Sequence, residues 1–131
     1  MPTPVSDLAT LLATMAPALD PQAWAWCLLP AGEAAPADAL ACVREPEGTT
    51  VVVPEPTALA RGWPVLFRCA WIMLRVHSDL AAVGLTAAVA GALAQAGISC
   101  NVVAGVHHDH LFVPVDRAQD ALATLRRLQA R

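Results

Sequence analysis

The chain has 131 residues, of which 56% are hydrophobic and 15% charged, and its formal net charge is −3. That length suits one domain or two very small units sharing a core, and so apolar a composition excludes an intrinsically disordered chain. The mild negative charge argues against a nucleic-acid or acidic-membrane surface, which would need clustered cations.

All eight cations are arginines, so Schiff-base chemistry and a phosphate-binding P-loop, both of which need lysine, are excluded. Cys27, Cys42, Cys69 and Cys100 form no CxxC pair and have no short metal-like spacing. No basic n-region precedes Arg44 to mark a secretory leader, so the expectation is a cytoplasmic protein with reduced, buried thiols. Leu80 to Ile98 is apolar, but it is mostly Ala and Gly, contains Thr86 and Gln95, and begins beside Asp79. It reads as a buried soluble helix rather than a membrane span.

Taken in chain order, residues 5–17 place Leu8, Leu11, Leu12 and Met15 on one helical face, with Ser6 as the cap and Asp20-Pro21 after the end. Trp24 to Leu29 reads as a strand and Pro30 to Pro36 as a loop. Leu40 to Glu45 and Thr49 to Val53 form a predicted hairpin around Pro46-Glu47-Gly48. A short helix over Pro56 to Arg61 is followed by a long strand from Val65 to Val76, containing Phe67, Trp71 and Ile72. Leu85, Ala88, Val89, Ala92, Leu93 and Ala96 mark the clearest helix, which Gly97 ends. Strands at Ile98 to Val103 and His110 to Val115 flank a turn, Gly105 to Asp109. The last helix opens at Asp116 with Gln119 in a capping-box pattern, and its inner face is Ala118, Ala121, Leu122, Leu125 and Leu128.

The order is α-β-β-α-β from residue 5 and β-α-β-β-α from residue 65. Each is a βαββαβ ferredoxin-like unit short of one terminal strand: 1–68 lacks its opening strand and 69–131 its closing one. The strand at 65–76 is long enough to close the first unit and open the second. An exposed edge beside it would pair with another copy, so a homodimer or higher homo-oligomer is expected.

The run VHSDLAAVGLTAAVAGALAQAGISCNVVAGVHHDHLFVPVDRAQDAL resembles the C-terminal unit of small bacterial proteins with paired ACT domains, and EPEGTTVVVP resembles the end of the hairpin in their N-terminal unit. His77 to Pro114 carries the most specific part of the likeness. Asn101-Val102-Val103 matches the wider ACT strand pattern. The resemblance implies an α+β fold with two ferredoxin-like ACT units, antiparallel sheets and helices packed on one face. It also implies amino-acid binding between paired units and regulation of a partner, as in the arginine-sensing CASTOR proteins. With no catalytic domain expected beside the two units, any regulatory role is expected to act on a separate partner or to serve transport or sensing.

Three constellations bear on the site. The loop His77 to Gly84 joins a strand to a helix, where backbone N–H groups at the helix start suit a carboxylate and Gly84 permits close approach. Ser78 or Asp79 could meet an ammonium group there, or could merely cap the helix. Asn101 carries an amide able to donate and accept, although such a side chain can also bond its own backbone. His107-His108-Asp109-His110 invites a metal reading with His77 as a further ligand, but its spacing matches no zinc motif, and a polar turn orienting His110 toward the pocket is the favoured reading. Trp24, Trp26, Trp63 and Trp71 are read as packing residues, and Glu45 and Glu47 as solvated turn charges.

The expectation is a non-enzymatic, small-ligand-binding sensor with no catalytic residues and no cofactor. Its ligand-binding set is His77, Ser78, Asp79, Leu80, Val83, Gly84, Leu85, Thr86, Asn101, Val102 and His110. Two alternatives stand beside it: a metal-binding protein or metal enzyme built on His77, His108 and His110, and a structural dimerisation module without a ligand.

Overall fold

The structure is a computed structural model and describes residues 7–77 and 79–131. Packing divides the chain in two. The described residues up to Asp20 join Trp71–Arg131 in a larger unit, and Pro21–Ala70 form a smaller one. The elements are α1 (Leu8–Thr14), β1 (Pro17–Leu29), β2 (Ala41–Glu45), β3 (Gly48–Pro54), α2 (Glu55–Arg61), β4 (Phe67–Leu74), α3 (Leu85–Gln95), β5 (Asn101–Ala104), β6 (Asp109–Pro114) and α4 (Ala118–Gln129).

In the smaller unit the strands lie in the order β2-β3-β1-β4. β3 pairs antiparallel with both neighbours, Val51 opposing Cys27 on one side and Cys42 on the other. Alternate residues of a strand face one side of the sheet. Ala25, Cys27 and Leu29 of β1 and Val51 and Val53 of β3 therefore form one buried layer, closed by Ala58 of α2. The β2–β3 turn depends on Gly48, whose φ is 150° and where an added Cβ would stand 2.6 Å from the Leu29 carbonyl oxygen. Beside it the Thr50 hydroxyl donates to Glu45 at 2.9 Å, so Glu45 is occupied within its own hairpin.

This strand order corrects one expectation. The unit is not missing its opening strand, because β1 is that strand; the absent element is the first crossover helix. Residues 30–40 replace it, and with Pro30, Gly32 and Pro36 they are too interrupted to hold a helix. The helix assigned by sequence to this unit, α1, packs instead against α3 and α4 of the larger unit. Its N-cap is Asp7, whose carboxylate accepts from Thr10 N–H at 3.0 Å. The predicted cap Ser6 lies outside the described residues.

The larger unit has the strand order β1-β4-β6-β5. Here Pro17–Asp20 of β1 occupy the place of a closing strand, extending the strand seven residues ahead of the predicted Trp24. Nearby, Arg75 N–H donates to the Met15 carbonyl at 2.8 Å. β4 thus ends one unit and begins the other, although at Phe67–Leu74 it is shorter than the predicted Val65 to Val76. It lies between β1 and β6, however, so it has no exposed edge, and that ground for a dimer falls away. The outer strands are β2 and β5.

Leu85, Val89 and Leu93 repeat every four residues and give α3 its buried face; Ala121, Leu122, Leu125 and Leu128 do the same for α4. The predicted capping box at Asp116 and Gln119 does not form. A single 3-10 turn, Val115–Arg117, comes first, and no side chain caps α4. Arg117 reaches back instead, to the carbonyls of Ala96 at 3.3 Å and Gly97 at 3.4 Å, where a cation offsets the negative end of α3.

Among the described residues no helix is long and apolar enough to cross a membrane. Burial raises the Cys69 thiol to about 12, partly opposed by the Trp26 indole. The Cys100 thiol is raised to about 11 for the same reason.

Candidate functional site

The segment between β4 and α3 folds on itself before the helix begins. Asp79 accepts Ala81 N–H through Oδ1 at 2.9 Å, while its carbonyl accepts Ala82 N–H at 2.9 Å. Asp79 therefore fixes a turn of its own loop and does not cap α3. The N-cap of α3 is Gly84, at φ 106° and with no side-chain cap bond. The first intrahelical bond runs from Ala88 N–H to the Gly84 carbonyl at 2.8 Å, so the preceding N–H groups have no partner within the helix. A Cβ on Gly84 would stand 3.1 Å from Leu8 Cδ2.

A cavity of about 90 Å³ opens at this helix start, lined by Asp79, Leu80, Ala82, Gly84, Leu85, Thr86, Ala104 and Asp109. Asp79, Leu80, Gly84, Leu85 and Thr86 belong to the predicted ligand-binding set, whereas Ala82, Ala104 and Asp109 do not. Asp109 enters through strand register: it opposes Ala104 in the β5–β6 ladder, and the two share a face. It is only 8% exposed. Burial raises its carboxyl above the ordinary value of 3.8, with His110 and His108 partly opposing. The sequence signal that could have found it is β6 beginning at residue 109 rather than 110.

The other predicted residues go elsewhere. Ser78 lies outside the described residues. Val83 is 84% exposed, Asn101 is exposed at the start of β5, and Val102 shares the face of Ala104 without lining the cavity. His110 does not turn toward the cavity, because the next residue after Asp109 in a strand points to the opposite face. There its Nδ1 accepts the Trp71 indole N–H at 3.1 Å. Burial holds its pKa below 6.5, with the charge of His108 adding to the effect and Asp109 opposing.

The histidine cluster is divided among separate partners. His108 Nδ1 lies 3.4 Å from the Val76 carbonyl oxygen, and the His77 and His107 rings pack with centroids 5.2 Å apart. Among the described residues no three His, Cys, Asp or Glu side chains are grouped so as to hold a metal ion. The reading built on His77, His108 and His110 therefore lacks its geometry.

The opposite pKa shifts predict a two-part pH dependence. Asp109, raised, contributes stability in acid that is lost as pH climbs from 3.8 through its folded value. His110, lowered, contributes stability above 6.5 that is lost as pH falls through its folded value. Melting curves against pH should show the second loss vanish in His110→Gln and the first vanish in Asp109→Asn.

Comparison with known proteins agrees with this architecture. Two ACT-domain family models match the chain, over residues 3–70 and 66–127. A crystal structure of a protein of unknown function from Vibrio cholerae, described as a possible transport protein, is 40% identical over 93% of this chain and 95% of its own, with a TM-score of 0.80. The ligand-free regulatory subunit of aspartate kinase from Thermus thermophilus has a TM-score of 0.62 at 14% identity, over 88% of this chain and 97% of its own. The corresponding subunit from Thermus flavus gives 0.57 at 14% identity, over 88% and 98%. At such identities these last two speak to the fold alone. No curated protein matches. With family models spanning nearly its whole length, the chain belongs to the ACT-domain family and carries two ACT domains in tandem.

Proposed function

We propose that this protein is a ligand-binding regulatory module without a catalytic centre, and that its ligand is an amino acid received at the start of α3. The observation that carries the reading is the α3 N-terminus, which no side chain caps and which opens on a cavity of about 90 Å³. N–H groups without a partner inside the helix and the positive end of the helix dipole favour a carboxylate at that place. Gly84 lines the cavity, and a side chain there would be strained at φ 106° and would crowd Leu8. Membership of the ACT family supports a regulatory role over a catalytic one. Self-association, if it uses strand pairing, has β2 and β5 as its edges.

Thermal-shift measurements against the twenty amino acids, with and without a chelator, test the reading, because a ligand that binds only the folded state raises its stability. At a hundred times its dissociation constant the gain is about 2.7 kcal/mol. One or a few amino acids should raise the melting temperature regardless of chelator, and Gly84→Trp should abolish the rise. A response to zinc alone would transfer support to the metal reading. Silence toward every amino acid at millimolar concentration would remove the proposal.

A further inference from the structure

We infer that Asp109 is the cation receptor of the α3 cavity, so that the site selects ligands carrying a primary ammonium group; the inference rests on the ligand-binding reading above and adds the chemistry of its second pole.

The first ground is burial that the neighbouring charges compensate only in part. Asp109 is 8% exposed, and an aspartate so deeply placed is almost always paired. Among the described residues no hydrogen bond or ion pair reaches its carboxylate. The neighbouring imidazoles are engaged elsewhere, His110 with Trp71 and His108 beside the Val76 carbonyl.

The second ground is direction. Opposite Ala104 in the ladder, Asp109 faces the same side as Leu111 and Val113 and lines the cavity. The remaining charge on the cavity wall is Asp79, one of whose oxygens already accepts Ala81 N–H. Among the described residues no arginine lines the cavity, so its side-chain charge is negative, while its positive element is the start of α3, which has no side-chain cap. This polarity suits a molecule with one carboxylate and one ammonium, and it disfavours a dicarboxylate. The volume of about 90 Å³ is several times what a single water needs, enough for the charged head of such a ligand, with the rest of it outside.

A buried acid held for a ligand should oppose stability when the ligand is absent. Burial accordingly raises the pKa of Asp109, and the charges of His110, behind it on the opposite strand face, and of His108 oppose that effect without cancelling it; Asp79 is the other carboxylate on the cavity wall. The role thus has a signature that a structural aspartate lacks.

The test uses the full chain, Asp109→Asn and, as a smaller neutral variant, Asp109→Ser. Melting is followed near pH 7.5 with the twenty amino acids and with ethylamine and propionate as single-function probes. Asp109→Asn should melt about 2–4 °C above the wild type without ligand, yet bind the responding amino acid at least about tenfold more weakly. Ethylamine protection should disappear in both variants, and propionate protection should persist. An amino acid that protects wild type and both variants equally would overturn the inference and leave the reading of the α3 start intact. Protection by ethylamine alone, lost in the variants, would uphold Asp109 and sink the amino-acid reading. Lower melting of both variants with unchanged binding would assign Asp109 a purely structural role, and no response from any probe would overturn both.

Discussion

Phe112→Ala is expected to lower the stability of the folded chain by about 3–5 kcal/mol, the range for deleting a large buried aromatic. Phe112 is 0% exposed and stands on β6 between Leu111, 1% exposed, and Val113, 0% exposed. Because successive strand residues face opposite sides, β6 is buried on both faces, as an interior strand of the larger unit should be. No rearrangement of an exposed neighbour can refill the space. With total stabilities of about 5–15 kcal/mol, the loss takes a large share of the whole. Chemical denaturation should show a much lower midpoint with the same slope. A loss below about 1.5 kcal/mol would show that the surroundings collapse into the gap, contrary to this description of the core.

The second large effect concerns the β2–β3 turn. Gly48→Ala should cost at least about 2 kcal/mol, since a non-glycine residue in so unfavourable a backbone region costs about 1–3 kcal/mol before any clash. The clash here is with backbone: the new Cβ would lie 2.6 Å from the Leu29 carbonyl oxygen, which β1 holds in place. Gly91 provides the control. It sits inside α3 with nothing within 4 Å of an added Cβ, so alanine there should stabilise by about 0.5–1 kcal/mol. Equal effects at the two positions, read by denaturant titration, would contradict the turn geometry.

Much of the fold was legible because the apolar pattern is strong where elements are long. The α3 stripe Leu85-Val89-Leu93 and the α4 stripe ending at Leu128 declare their helices through spacing alone. The strand run from Phe67 is equally plain, rich as it is in residues that suit a pleated sheet. β1 was harder. Asp20-Pro21 looks like a helix end followed by a break, yet the strand runs through both. Proline is tolerated where its missing N–H is not needed by the ladder, and Pro21 is exposed. That misreading hid the closing strand of the larger unit, while the opening strand of the smaller one, read at Trp24 to Leu29, was miscounted because α1 was placed in its unit. Which unit α1 joins is likewise a matter of tertiary packing that no local pattern encodes.

The site divided along similar lines. The loop His77 to Gly84 was readable as a strand-to-helix connection, because a glycine before an apolar helix announces a turn. The place of Asp109 at the cavity was not, because it comes from its partner across the ladder, Ala104, and from burial. The histidines drew attention by number, but strand alternation sends His110 to Trp71 and away from the cavity.

The most direct measurement of the central claim is a set of amide spectra of the ¹⁵N-labelled chain, titrated with the amino acid that gives the largest thermal shift. The account predicts perturbations centred on the N–H groups of Gly84 to Ala88 and on Asp109, saturating together. Perturbations gathered instead around the open hollow of Gly32, Glu33, Cys42 and Arg44 in the smaller unit would contradict it.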